Sequence, residues 1–205
     1  MVGRVYRICR GLVSLTIKSF LFAREPLWLE NRPGLRHKLP LNVQSWVYES
    51  GSLTKRLRDF YGAGVAVKVL LQRRRTPFLS ERRLLNLPEH HIILTREVLL
   101  HVKGKPLILA RTIIPEETIK AAKSNLSRLG NRPLGEIIFS YPQLERLSMD
   151  ITLINLSTWT PAANKEAIID QPIWGRRTVY GIAHKQMLVS EFFLPEVLEV
   201  LKPIK

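Results

Sequence analysis

The chain has 205 residues, 45% of them hydrophobic, and 32 Lys and Arg against 17 Asp and Glu give a formal net charge of +15. That size allows one domain with a sizeable core, or one domain with an extension, and the basic balance points to nucleic acid, anionic lipid or small acids as partners. The lone cysteine, Cys9, excludes an internal disulfide and a multi-cysteine zinc site, and no apolar run approaches the roughly 20 residues that span a bilayer, so a cytoplasmic chain is expected.

Residues 1–22 contain no acid. Wound as a helix, Arg4, Arg7, Gly11, Ser14 and Lys18 form one stripe, with Val5, Ile8, Leu12 and Leu15 beyond it. This basic amphipathic pattern predicts weak peripheral contact with an anionic membrane surface; a leader without order, or a helix packed on the body, fits it as well. Residues 1–24 are therefore taken as an extension and 25–205 as the body, entered through the Pro-containing stretch 25–40.

In the body, helices are expected over 41–49 and 53–61, the second capped by Ser52, then a strand over 64–72 and a short helix over 80–86. The stretch "HIILTREVLLHVKGKPLILARTIIP" predicts a hairpin with strands 92–102 and 107–114. Pro115 and Gly130 bound a helix over 116–129, Pro133 starts a turn over 133–139, and three strands follow near 145–155, 174–183 and 187–194. Strands joined by short turns, with helices inserted between them, predict an α+β fold: a single antiparallel β-sheet with helices packed on one side.

Several signatures are absent. "GAG" at 62–64 precedes a strand instead of following one, and there is no Walker loop, G-x-S-x-G elbow or H-E-x-x-H. His90 and His91 are adjacent, so on a strand they face opposite sides, and no metal site is expected. The basic run Arg73, Arg74, Arg75, with Arg82 and Arg83, has no interleaved aromatic residues and is taken as a solvated face, so no nucleic acid partner is expected.

Three charges fall on apolar faces. In "MLVSEFFLPE", Glu191 shares its side of a strand with Met187, Val189 and Phe193. Arg96 shares a side with Ile92, Leu94, Val98, Leu100 and Val102, and Arg111 with Leu107, Leu109 and Ile113. A two-residue loop in "VKGKP" puts both arginines on the same side of the sheet, within reach of one ligand, whereas a three-residue loop separates them. An anionic ligand between them and a buried Arg–Glu–Arg network account for the pattern equally well. Two backbone donors add to it: the N–H of Leu53 follows the Ser52 cap, and that of Leu134 follows Pro133, each in an open first helical turn suited to a carboxylate.

The stretches "SLTKRL", "LTREVLL", "GKPLILARTIIP", "LGNRPLGEIIF", "WGRR" and "SEFFLP" occur in this order and spacing. Over roughly residues 25 to 200 the chain thereby resembles chorismate pyruvate-lyase, the family that releases pyruvate from chorismate to give 4-hydroxybenzoate at the entry to ubiquinone synthesis. The resemblance implies a monomer that needs no metal or organic cofactor. It places the product carboxylate on Arg96 and on the backbone N–H groups of Leu53 and Leu134, and the hydroxyl on Glu191. Arg111 corresponds to an active-site arginine of the family, free for the second carboxylate of chorismate. Position 53 departs from the best-known member, which has Met there. Glu191 either orients the ring hydroxyl or donates a proton. The alternative is a non-catalytic effector-binding domain of the same fold, as in some bacterial transcription repressors; "WGRR" and Glu191 favour the enzyme.

Overall fold

The computed structural model describes residues 18–122 and 126–199. Its strands are β1 (Leu29–Glu30), β2 (Val65–Arg75), β3 (Ile93–Val102), β4 (Lys105–Ile114), β5 (Glu145–Ile154), β6 (Ile173–Ile182) and β7 (Lys185–Phe193). Its helices are α1 (Leu41–Val47), α2 (Leu53–Tyr61), α3 (Leu79–Leu84), α4 (Glu116–Ala121), α5 (Leu134–Ile138), α6 (Pro161–Ala167) and α7 (Pro195–Leu198). The strands form one sheet in the order β1-β5-β6-β7-β4-β3-β2, every neighbouring pair antiparallel.

Local chemistry sets most boundaries. The Ser52 hydroxyl accepts from the Lys55 amide at 3.3 Å and opens α2, which Gly62, at φ +73°, closes. Thr160 caps α6 in the same way, accepting from the Ala163 amide at 3.0 Å, with Pro161 at the first helical position. That helix is absent from the expected elements. The helix expected over 116–129 ends at Ala121.

The expectation of helices on one side of the sheet is corrected. On one face, Val43, Trp46 and Leu57 of α1 and α2 pack against Val98, Leu100 and Phe193. On the other, Ala163 and Ala167 of α6 pack against Leu99, Leu109 and Phe192. The central strands bury both faces: in β3 every residue but His101 is buried.

The first described residues belong to this second layer. Ser19 and Leu21 are fully buried, and the Phe22 ring lies 5.0 Å from Trp159 and 5.2 Å from Phe192. Residues 19–22, assigned above to the extension, are thus part of the body. Most of the amphipathic stripe lies in 1–17, outside the described residues. Among the described residues no helix is long and apolar enough to cross a membrane.

The hairpin decides the fate of the two arginines. Its loop is the two-residue one, Lys103-Gly104, both at positive φ as this turn requires. The register then slips between Leu100 and His101, so that Leu107 is an extra residue on β4. A slip of one residue turns every following side chain to the other face. Arg96 therefore faces Thr112, and Arg111 faces Glu97 on the opposite side of the sheet. The expected pairing of Arg96 with Arg111 is overturned by this bulge.

Candidate active site

Two rows of cross-strand neighbours run beneath a cavity, and Arg96, Thr112, Val189, Val98, Ala110 and Glu191 from them form its floor. One row runs Gln72, Arg96, Thr112, Val189, Thr178, and the next runs Val98, Ala110, Glu191, Arg176, Ile151. Arg96 and Glu191 stand two strands and two residues apart. At about 4.8 Å between strands and about 3.4 Å per residue, their Cα positions are roughly 12 Å apart. Their side chains can thus hold the two ends of a small ring between them.

The roof is α2 and α5. Leu53 and Thr54 descend from one helix, and Leu134, Gly135 and Ile138 from the other. The N-termini of the two helices meet: a Cβ on Gly135 would lie 2.8 Å from the Ser52 hydroxyl, so only glycine allows this approach. The space between floor and roof, with the open solvent at its mouth, is about 580 Å³. The amides of Leu53 and Leu134 stand in first turns, where no residue four back accepts from them.

At one end lies Arg96, 1% exposed. It donates to the Gly130 and Arg132 carbonyls at 2.9 and 3.1 Å. Its Nε has no hydrogen-bond partner, and no carboxylate pairs with it among the described residues. Burial pushes its pKa down to about 10, so it stays charged at neutral pH, a cation without a counter-ion among the described residues. Such a group calls for an anion.

At the other end, Glu191 Oε2 accepts from Arg176 Nε at 2.7 Å, while Oε1 has no such partner among the described residues. Burial works against the Arg176 charge, but Glu191 and Tyr180 outweigh it and hold its pKa above the ordinary value. Tyr180 lines the cavity beside Glu191, and burial raises its phenol's pKa. Its hydroxyl accepts from Arg146 at 3.1 Å.

The structure thus brings Leu53, Arg96, Leu134 and Glu191 around one cavity and leaves Arg111 out. On the reverse face Arg111 is 1% exposed, held by both oxygens of Glu81 at 2.7 and 2.9 Å and by Glu97 at 2.5 Å. Burial opposes its charge, but the two carboxylates raise its pKa above the usual range. All three nitrogens are engaged by carboxylates on the face away from the cavity, so the expected role of Arg111 at the site is corrected: it belongs to a buried ionic cluster.

Arg176, Tyr180 and Thr112 are the polar groups that sequence reasoning missed. A two-residue loop at Ala183-His184 pairs Arg176 with Glu191. Both loop residues are at positive φ without being glycine or asparagine, so the turn lacks its usual signature.

Comparisons with known proteins bear on the family. The sequence model of the family described as Chorismate lyase matches residues 24–201. A protein of Methylococcus capsulatus named "Probable chorismate pyruvate-lyase" is 43% identical over 158 residues, which are 77% of this chain and 98% of that one. Proteins of the same name from Aromatoleum aromaticum and Shewanella loihica are 33% and 32% identical, covering 84% and 92% of this chain and 94% and 98% of theirs. Among solved structures, the SA0254 product of Staphylococcus aureus aligns with a TM-score of 0.54 at 15% identity, over 78% of this chain and 98% of that one. YydK of Bacillus subtilis, a possible transcriptional regulator, aligns at 0.51 and 12% identity over 72% of this chain and 65% of its own. These two likenesses concern the fold alone. With the family match spanning the whole of the described body from residue 24 on, the chain belongs to the chorismate lyase family.

Proposed function

We propose that the protein is a chorismate pyruvate-lyase. One observation carries this reading: the cavity holds at one end a buried cation, Arg96, without a counter-ion among the described residues, and at the other the ion-paired carboxylate of Glu191. Arg96 and the Leu53 and Leu134 amides take the ring carboxylate through charge-assisted bonds, and Oε1 of Glu191 accepts from the ring hydroxyl. The apolar floor and roof fit the ring face.

The reaction breaks the ether C–O bond. The ring loses the hydrogen on its hydroxyl-bearing carbon and becomes aromatic, and that proton ends on the methylene carbon of the departing enolpyruvyl group, giving pyruvate. The site's share is to freeze the ether in a reactive rotamer and exclude water. Glu191, engaged by Arg176 as a carboxylate, orients the hydroxyl, which survives in the product. The elimination is redox-balanced within chorismate itself, so the proposal includes no metal or organic cofactor. It includes a monomer, since one chain supplies every group used, a cytoplasmic location, and supply of 4-hydroxybenzoate to ubiquinone synthesis.

The test is to mix the protein with chorismate alone. Pyruvate and 4-hydroxybenzoate are expected in equal amounts. Tight binding of chorismate without pyruvate release would instead make this an effector-binding domain.

A further inference from the structure

We infer that Arg176 is a positioning residue for Glu191, a role that rests on the lyase reading above. Arg176 does not line the cavity, yet its guanidinium connects two parts of the wall. Nε donates to Glu191 Oε2 at 2.7 Å. Nη1 donates to the carbonyls of Val47 and Glu49, both at 2.8 Å, where α1 ends and the chain turns toward α2. The residue is 1% exposed.

This division of labour suits arginine. The C-terminal carbonyls of a helix lack intrahelical donors, and a cation there satisfies them. The planar guanidinium presents donors in fixed, divergent directions, so one group serves a carboxylate and a helix end together. A lysine ammonium is a single point of charge on a flexible stem and reaches one partner at the expense of the other. The corner that Arg176 grips is also held from outside: Arg146 donates to the Glu49 and Ser50 carbonyls at 3.2 Å. Three residues beyond Ser50 the chain reaches Leu53, which lines the cavity and whose amide the lyase reading assigns to the ring carboxylate.

The Glu191 carboxylate is thus fixed before any ligand enters, with Oε2 committed to Arg176 and Oε1 left for the ring hydroxyl. An acceptor that is already oriented loses little entropy on binding and discriminates sharply for a hydroxyl. Without the fork, the carboxylate is free to rotate, and recognition of the hydroxyl weakens while recognition of the ring carboxylate by Arg96 does not.

Titration of 4-hydroxybenzoate and of benzoate tests this on the wild type, Arg176→Lys, Glu191→Gln and the double variant, alongside kcat and KM for chorismate. A hydrogen bond to a charged acceptor gives the wild type a preference for 4-hydroxybenzoate of about tenfold or more. Arg176→Lys is expected to lower that preference about tenfold and to lower kcat, with benzoate affinity within about twofold, and to add nothing in the Glu191→Gln background. An unchanged preference in Arg176→Lys, or a parallel loss of benzoate affinity, overturns the proposal. A wild type that neither releases pyruvate nor prefers the hydroxylated acid overturns the lyase reading itself. Should Arg176→Lys fail to fold, Arg176→Met, which keeps the volume without the buried charge, goes through the same measurements with the same two outcomes.

Discussion

Two buried arginines of one hairpin show how far a residue's charge depends on its partners. Among the described residues Arg96 has only backbone acceptors, and a pKa pushed down to about 10 corresponds to roughly 3 kcal/mol of unfavourable burial. Replacing it with methionine is expected to leave the melting temperature unchanged or raised, and to lower turnover of chorismate about 10²–10³-fold. Arg111 is the reverse case. Arg111→Met leaves Glu81 and Glu97 buried without their cation and is expected to cost about 3–5 kcal/mol, while the protein that remains folded keeps its turnover per active site. Thermal denaturation with turnover per folded molecule separates the two, and a loss of turnover in folded Arg111→Met would return that residue to the reaction. Period-two alternation was enough to place Arg96 and Glu191 on an inward face. It failed for Arg111 because one unpaired residue, Leu107, reverses parity, and nothing in "GKPLILAR" marks a bulge.

Elements were legible where their ends carry distinctive chemistry. Ser52 and Gly62 bracket α2, and the expected bounds, 53–61, are those observed. The β6–β7 turn carries no such mark, so the strand ends were set too far apart and the facing of Arg176 and Glu191 was lost. The second helical layer was illegible for a different reason: strands buried on both faces read as continuous apolar runs, which do not say what covers them. The roof offers a test at this scale. The close approach of α5 to α2 depends on Gly135, and Gly135→Ala pushes a methyl group against the Ser52 cap. That overpacking is expected to cost about 1–3 kcal/mol of stability and to lower 4-hydroxybenzoate affinity about tenfold, because the Leu53 and Leu134 amides move apart. The partly exposed Arg58–Glu136 pair joins the same two helices, and Arg58→Ala is expected to cost no more than about 1 kcal/mol. Titration of both variants with the product decides whether backbone approach or the ion pair holds the roof; a larger loss in Arg58→Ala would reverse the order.

For the whole molecule, the excess of basic residues falls in at least two separate stretches. Arg73, Arg74 and Arg75 end β2, the long edge strand, where charges oppose edge-to-edge pairing, and Arg74 is paired with Glu116 at 2.6 Å. The N-terminal arginines, Arg4, Arg7 and Arg10, lie outside the described residues, and the body reaches back at least to Ser19. Ser19 Oγ and the Phe20 amide donate to Glu97 at 2.5 and 2.6 Å, so the first described residues complete the cluster around Arg111. A chain shortened to begin at Lys18 retains these contacts and the Phe22 ring. One shortened to begin at residue 25 loses the Phe22 packing and three donors to Glu97, and is expected to be less stable by at least about 3 kcal/mol. The chain beginning at Lys18 is therefore the right partner for a membrane test. If residues 1–17 carry the contact with anionic lipid that their stripe suggests, the full chain co-sediments with vesicles containing anionic phospholipid and the shortened one does not, and the difference fades as salt is raised. Equal sedimentation of the two would remove the N-terminal stripe from any role at a membrane and leave the charge of the body as the only attraction.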